Sequence, residues 1–329
     1  MKSDVANVTL AEIQAPVRRE LDSVFDELAR VVKADVPLVN DVSEHLLRVK
    51  GKLFRPTLLL LSAQAVGQIT PKEVTLAAVA ELIHISTLLH DDSVDHSPLR
   101  RGQPTVNAAF SHEVAVIMGD YLYSRAIEQL VKLKSQESLE IMSRVTNELT
   151  IGEMREVVAF DGLDFSESDY ESMILAKTAS LIAGACELGA LAGGEEWRGP
   201  LRRFGTNLGA AFQIADDLLD YTATEEATGK PVGQDLREHK VTLPLIVALS
   251  RMNPDERRLV DDLMADPSPE DSEIAAVIQV VDARGGIVAA RERASEMVQR
   301  AETELEAVPV GSARDALSAS ITYCVERSR

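Results

Sequence analysis

Apolar residues recur at three- and four-residue steps along almost the whole chain. Between Leu10 and Val32 the positions Ile13, Val17, Leu21, Phe25 and Leu28 share one face of a helical period. The same spacing predicts helices over 38–49, 53–66, 72–94, 113–133, 138–159, 168–192, 199–220, 242–250, 256–264, 273–282, 286–306 and 311–326. Period-two alternation is rare, and no Gly-x-Gly-x-x-Gly follows a strand-like run, which argues against a nucleotide-binding α/β fold. The breaks are short: Gly67 to Pro71, a polar basic loop from Ser97 to Gln103, Gly193–Gly194, and Met264 to Ser272. None has the length or low complexity of a domain linker, so one all-α domain over residues 1–329 is expected.

Composition narrows this picture. The 329 residues are 45% apolar but only 4% aromatic, a balance that suits helix packed on helix. The formal net charge of −19, with no long basic run, argues against a nucleic-acid partner. Cys186 and Cys324 lie far apart without metal spacing and read as reduced thiols. The N-terminus lacks a basic start followed by an apolar core, and no stretch reaches the ~20 apolar residues of a span. The expectation is a cytoplasmic protein that is not integral to a membrane.

The candidate chemistry lies in an internal echo. Leu88-Leu89-His90-Asp91-Asp92-Ser93-Val94-Asp95 resembles Gln213-Ile214-Ala215-Asp216-Asp217-Leu218-Leu219-Asp220. On a helix Asp91 and Asp95 share a face, as do Asp216 and Asp220. Like charges at that spacing weaken a helix by about a few tenths of a kcal/mol, and they stand where the macrodipole disfavours anions. An arrangement so unfavourable, made twice, implies that cations supply the missing charge. Mg²⁺ fits, because it takes hard oxygen ligands and is shared between one or two carboxylates and a diphosphate. The His and Cys partners of zinc are missing, as are the Gly and Glu of a calcium loop.

Basic residues stand beside these acids. Lys52 and Arg55 open an apolar helix, where phosphates are favoured. Arg100 and Arg101 follow the first cluster and suit bidentate phosphate contacts. Lys177, with Thr178, sits in an otherwise apolar helix, where a lysine either points into a cavity, the reading favoured here, or snorkels to the surface, while Lys230 and Lys240 follow the second cluster. His84, two turns before Asp91, falls roughly on the same face.

Together these residues resemble the trans-type polyprenyl diphosphate synthases. The likeness runs in order from Gly51-Lys52-x-x-Arg55-Pro56 through the first acid cluster and Arg100-Arg101-Gly102. It continues through Gly119-Asp120, Lys177-Thr178, Phe212-Gln213 with the second cluster, Gly229-Lys230-Pro231, and Lys240-x-Thr242-Leu243-Pro244. The resemblance implies an isoprenoid-synthase helical bundle with a central cavity, working as a homodimer. It implies that Asp91, Asp95 and Asp216 bind about three Mg²⁺ ions, with Asp92 and Asp220 in support. Arg100, Lys177 and Lys230 would hold an allylic diphosphate, and Lys52, Arg55, His84 and Arg101 isopentenyl diphosphate. Thr178, Gln213 and Lys240 would stabilise a carbocation or close the site. Two positions depart from the pattern: Ser93 replaces an apolar residue, and His239 stands where relatives usually carry Gly, which bears on the loop's conformation.

Ser86 and Thr87 precede Asp91 by five and four residues, where short-chain relatives place an aromatic block. Small residues there imply an open floor and a long all-trans product such as octaprenyl diphosphate, with any deeper block near Ile83, Ile117 or Met118. The alternatives are a farnesyl or geranylgeranyl synthase, a terpene cyclase, or a subunit of a heteromeric synthase. Lys52, Arg55 and Arg101 argue against the cyclase, and retention of both acid clusters argues against the subunit.

Overall fold

The computed structural model describes residues 8–48, 51–159, 163–222 and 232–326. Helix starts are set locally. Thr9, Thr70, Ser166 and Asn253 each accept a first-turn N–H, and Glu12, Glu73, Asp169 and Glu256 reach back to the cap backbone. The first helices are α1 (Leu10–Gln14), α2 (Arg18–Val31), α3 (Pro37–Arg48), α4 (Phe54–Val66) and α5 (Pro71–Val94). A two-residue hairpin, β1 (Leu99–Arg100) and β2 (Gln103–Pro104), precedes α6 (Val106–Ala109), α7 (His112–Leu133), α8 (Gln136–Ala159) and α9 (Glu167–Ile174). Then come α10 (Ser180–Ala190), α11 (Glu195–Thr222), α12 (Gln234–Arg237), α13 (Leu243–Leu249) and α14 (Pro254–Ala265). The chain closes with α15 (Asp271–Ala283), α16 (Gly286–Leu305) and α17 (Ser312–Glu326).

The layers form around the most apolar helices. Every residue of α10 is buried, between α4 and α11, while α5 packs on α7, α2 and α4. One apolar core gathers the N-terminal helices with Phe204 and Leu208 of α11 and Ala301 of α16. A second gathers the C-terminal helices with Ala211 and Ile214 of α11 and Ala290 of α16. Both acid clusters thus end helices that are held by core packing along their length. Cys186 and Cys324 are buried free thiols, as expected.

Several details differ from the periodicity. α11 starts at Glu195, four residues before the expected 199, with Pro200 inside it. The pair Gly199–Pro200 reads locally as a helix start, and tertiary packing overrides it. The basic loop is a tight hairpin whose turn residues Arg101 (φ 51°) and Gly102 (φ 74°) are both left-handed, the geometry of a two-residue I′ turn. Between α9 and α10 the segment Leu175–Ala179 widens into a π-helical turn. One expectation is corrected. Pro71–Val94 and the continuous run Glu167–Ala190 do have the length and apolarity of a span, because small and neutral residues raise their mean hydropathy. They are core helices, with 61% and 83% of those windows buried.

Candidate active site

Two cavities of similar size, about 480 and 450 Å³, meet at Leu88 and Arg100. The first is acidic. Asp91 of α5 and Asp95, the residue that caps it, line it together with Asp216, Asp217 and Asp220 of α11, so the two clusters end in one space. Burial pushes Asp91 up to about 7, with Glu153 adding to the shift, and pushes Asp217 to about 7 as well. Burial also raises Asp95 and Asp220. Among the described residues no three His, Cys, Asp or Glu side chains converge as a metal cage. A hard-oxygen donor set spread round a cavity suits cations shared with a bound diphosphate.

The six acids of the two clusters are not equivalent. Asp92 is buried and held by Arg100, whose Nε lies 2.8 and 2.9 Å from its two carboxylate oxygens. Asp217 accepts from the Tyr170 hydroxyl at 2.5 Å and from Gln213 Nε2 at 2.8 Å, and Gln213 Oε1 in turn accepts from Thr178 at 2.8 Å. Asp220 accepts the backbone N–H groups of Gln234 and Asp235, each at 2.8 Å. It therefore ties the chain after the second cluster back onto α11. Asp91, Asp95 and the exposed Asp216 line the acidic cavity beside them.

Lys177 lies in the π turn between α9 and α10, a local widening that is common at functional sites. Its ammonium pairs with Glu156 and, at 2.8 Å, with Glu153. Burial opposes its charge, but these carboxylates outweigh that and hold its pKa above the ordinary value. Lys240 pairs with Glu238 at 2.7 Å at the cavity edge. His239 beside it adopts φ 57°, and its ring nitrogen lies 2.9 Å from the Asp266 carbonyl oxygen. The position thus takes the left-handed conformation that glycine provides elsewhere, and histidine accepts it with a ring contact in return. Ser93 is buried and does not line the acidic cavity. Lys230 lies outside the described residues.

The second cavity is basic at its mouth. Lys52, Arg101, Arg100 and His84 line it, with Glu81 buried among them. Arg55, in the first turn of α4, is lowered to about 10, by burial first and by Arg101. Burial, then Arg55 and Arg101, hold His84 well below its ordinary value, so its imidazole is neutral. Gln14 of α1 donates to the Lys52 carbonyl at 2.9 Å and fixes the approach to α4.

The product-length residues are placed differently from the expectation. Ser86 is buried and donates to the Gly119 carbonyl of α7 at 2.8 Å. Thr87 donates to the His84 carbonyl at 2.9 Å, and neither residue lines either cavity. Ile117 is 67% exposed and forms no tunnel wall, whereas Ile83 and Met118 are buried. The rotation between neighbouring positions of α5 decides this. Ile85, Leu88 and Leu89 face the cavities, and Ser86 faces α7. Sequence reasoning missed Glu153, Glu156 and Tyr170, whose proximity to the site arises from packing between helices, and Glu81, which stands one turn before His84 on α5.

An all-helical bundle that brings two aspartate clusters and a basic mouth to adjoining cavities defines a prenyltransferase of the isoprenoid-synthase fold. The chain belongs to the polyprenyl synthetase family, which matches residues 36–281. It is 39% identical over 308 residues to the all-trans-nonaprenyl-diphosphate synthase (geranyl-diphosphate specific) of Rhodobacter capsulatus, covering 93% of this chain and 94% of that one. It is 35% identical to the octaprenyl diphosphate synthase of Escherichia coli, over 98% and 100% of the two chains. Among solved structures, the polyprenyl synthase from Caulobacter crescentus complexed with calcium and isoprenyl diphosphate superposes with a TM-score of 0.90, at 32% identity over 98% of each chain.

Proposed function

We propose that the enzyme condenses isopentenyl diphosphate with an allylic diphosphate to give a long-chain all-trans polyprenyl diphosphate, a quinone side-chain precursor. The observation that carries this reading is the pair of adjoining cavities, one acidic and one basic, which suits two anionic substrates held by different means. Asp91, Asp95 and Asp216 would hold about three Mg²⁺ ions with the allylic diphosphate. Bound Mg²⁺ supplies positive charge to the departing diphosphate. Asp92 and Asp220 act in support, through Arg100 and through the backbone at Gln234 and Asp235. Arg100, Lys177 and Lys230 add charge to the same diphosphate. Lys52, Arg55, His84 and Arg101 orient isopentenyl diphosphate. Thr178 and Gln213 present dipoles to the allylic carbon as its bond to oxygen breaks, and Lys240 helps to exclude water. The double bond of isopentenyl diphosphate attacks that carbon, and a proton leaves to the released diphosphate.

The named relatives, an all-trans-nonaprenyl and an octaprenyl diphosphate synthase, support a long product. The closed seam between Ser86 and Gly119 favours the second reading, a short-chain product that never passes it. Product sizing on the purified chain with Mg²⁺, isopentenyl diphosphate and an allylic primer decides. Long products are expected, and products stopping at farnesyl or geranylgeranyl length would overturn the long-chain reading. Ser86→Phe is expected to shorten the product while condensation continues, and Thr87→Phe repeats the test should the first variant disturb α7. A cytoplasmic homodimer completes the proposal.

A further inference from the structure

Asp217 lines the acidic cavity, yet it has no part in holding metal or diphosphate in the proposed reaction. Both its oxygens are engaged from within the protein. Oδ2 accepts from the Tyr170 hydroxyl and Oδ1 from Gln213 Nε2, while Gln213 Oε1 accepts from the Thr178 hydroxyl. The four side chains form one hydrogen-bonded chain. It starts at Tyr170 of α9, which is 1% exposed within the second apolar core, and ends at Gln213 and Thr178 on the cavity wall. Asp217 is buried while Asp216 beside it is exposed, so adjacent acids of one cluster face different partners.

The chain has a direction. A carboxylate only accepts, so Gln213 must turn its NH₂ toward Asp217 and its carbonyl oxygen toward Thr178. The Thr178 hydrogen is committed to that oxygen, which leaves the hydroxyl lone pairs for the cavity. A reversed amide would donate to Thr178 instead and release the hydroxyl hydrogen toward the reacting carbon. Gln213 and Asp217 stand one turn apart on α11 and meet unaided, but a carboxylate held at one oxygen still rotates. The Tyr170 hydroxyl anchors the second oxygen from another helix. We propose that Tyr170 and Asp217 are positioning residues, which set the polarity of Gln213 and Thr178 so that oxygen lone pairs rather than hydrogens face the allylic carbocation. Dipoles oriented before the charge develops need no rearrangement as the bond to oxygen breaks.

This inference rests on the reading that an allylic cation forms in the acidic cavity, and a purified chain inactive with Mg²⁺ and both substrates would bring down both. In an active chain, single-turnover condensation at saturating substrate reads the chemical step, below the melting temperature of every variant. Tyr170→Phe is expected to lower that rate about tenfold, while affinity for geranyl diphosphate changes by less than about twofold. Thr178→Val should cost about as much, and adding Tyr170→Phe to it should slow the step by less than about twofold more. A tyrosine with only a structural role would give effects that multiply. Calorimetry supplies a readout without turnover. Geranylamine, whose ammonium mimics the charged carbon, should bind Tyr170→Phe about tenfold more weakly than wild type in Mg²⁺ and inorganic diphosphate, while neutral geraniol binds both equally. Should Tyr170→Phe not fold, Asp217→Asn carries the test, with the same fall in rate and an unchanged Mg²⁺ requirement. A wild-type rate in the variant that folds, effects that multiply, geraniol weakened as much as geranylamine, or a raised Mg²⁺ requirement in Asp217→Asn would each overturn the proposal.

Discussion

Asp91 shows what the site costs the fold. Its pKa of about 7 lies above that of a free aspartate near ~3.9, so the folded chain binds this proton more tightly than the unfolded one. The penalty is absent below the unfolded value, grows as pH rises, and is complete once pH passes about 7. Asp91→Asn should therefore raise the metal-free melting temperature at pH 8, by a free energy on the order of 1 kcal/mol once solvent screening is allowed for. The same variant should lose at least about a hundredfold in kcat/KM. A calorimetric scan in EDTA and a condensation assay check both. Tyr170 is the contrasting case: its hydroxyl serves Asp217 from the core, and Tyr170→Phe is expected to cost about 1–3 kcal/mol in urea denaturation. The aspartates were legible in the sequence because repetition at helical spacing is a one-dimensional signal. Tyr170 was not, because 47 residues separate it from its partner.

At the scale of elements, helix existence and most boundaries follow from periodicity, since the helices are amphipathic or wholly buried and their caps are local. The π turn at Leu175–Ala179 has no such signature. It depends on α8 passing so close that a Cβ on Gly152 would stand 2.5 Å from the Lys177 backbone nitrogen. Gly152→Ala should force these segments apart and cost about 1–3 kcal/mol of stability. It should also lower kcat by about tenfold or more as Lys177 leaves its place, whereas Gly199→Ala, near only a flexible arginine, should do neither. Thermal melts beside steady-state kinetics on both variants separate these outcomes. The hairpin at Arg101–Gly102 is an intermediate case, in which the basic loop was visible but its left-handed turn was not.

For the whole molecule, α11 and α16 enter both apolar cores, which supports one cooperative unit and a single unfolding transition. Apolar side chains remain exposed on α7 and α8, among them Ile117 at 67%, Val131 at 60% and Met154 at 59%. A second copy covering these helices fits the proposed homodimer. Ile117→Arg should shift the chain toward monomer in sedimentation velocity, and a variant that sediments unchanged would place the interface elsewhere. Composition gave no hint of this face, because it is spread over two helices and interrupted by charged residues.

The ion pairs in the site carry one more consequence. Arg100 rests on Asp92, Lys177 on Glu153 and Glu156, and Lys240 on Glu238. A free anion that drew Lys177 away would strand two carboxylates, Glu153 and Glu156. A diphosphate that arrives with its metal ions brings positive charge to the carboxylates that its own binding uncovers, so the two ligands should bind with positive coupling, each tightening the other.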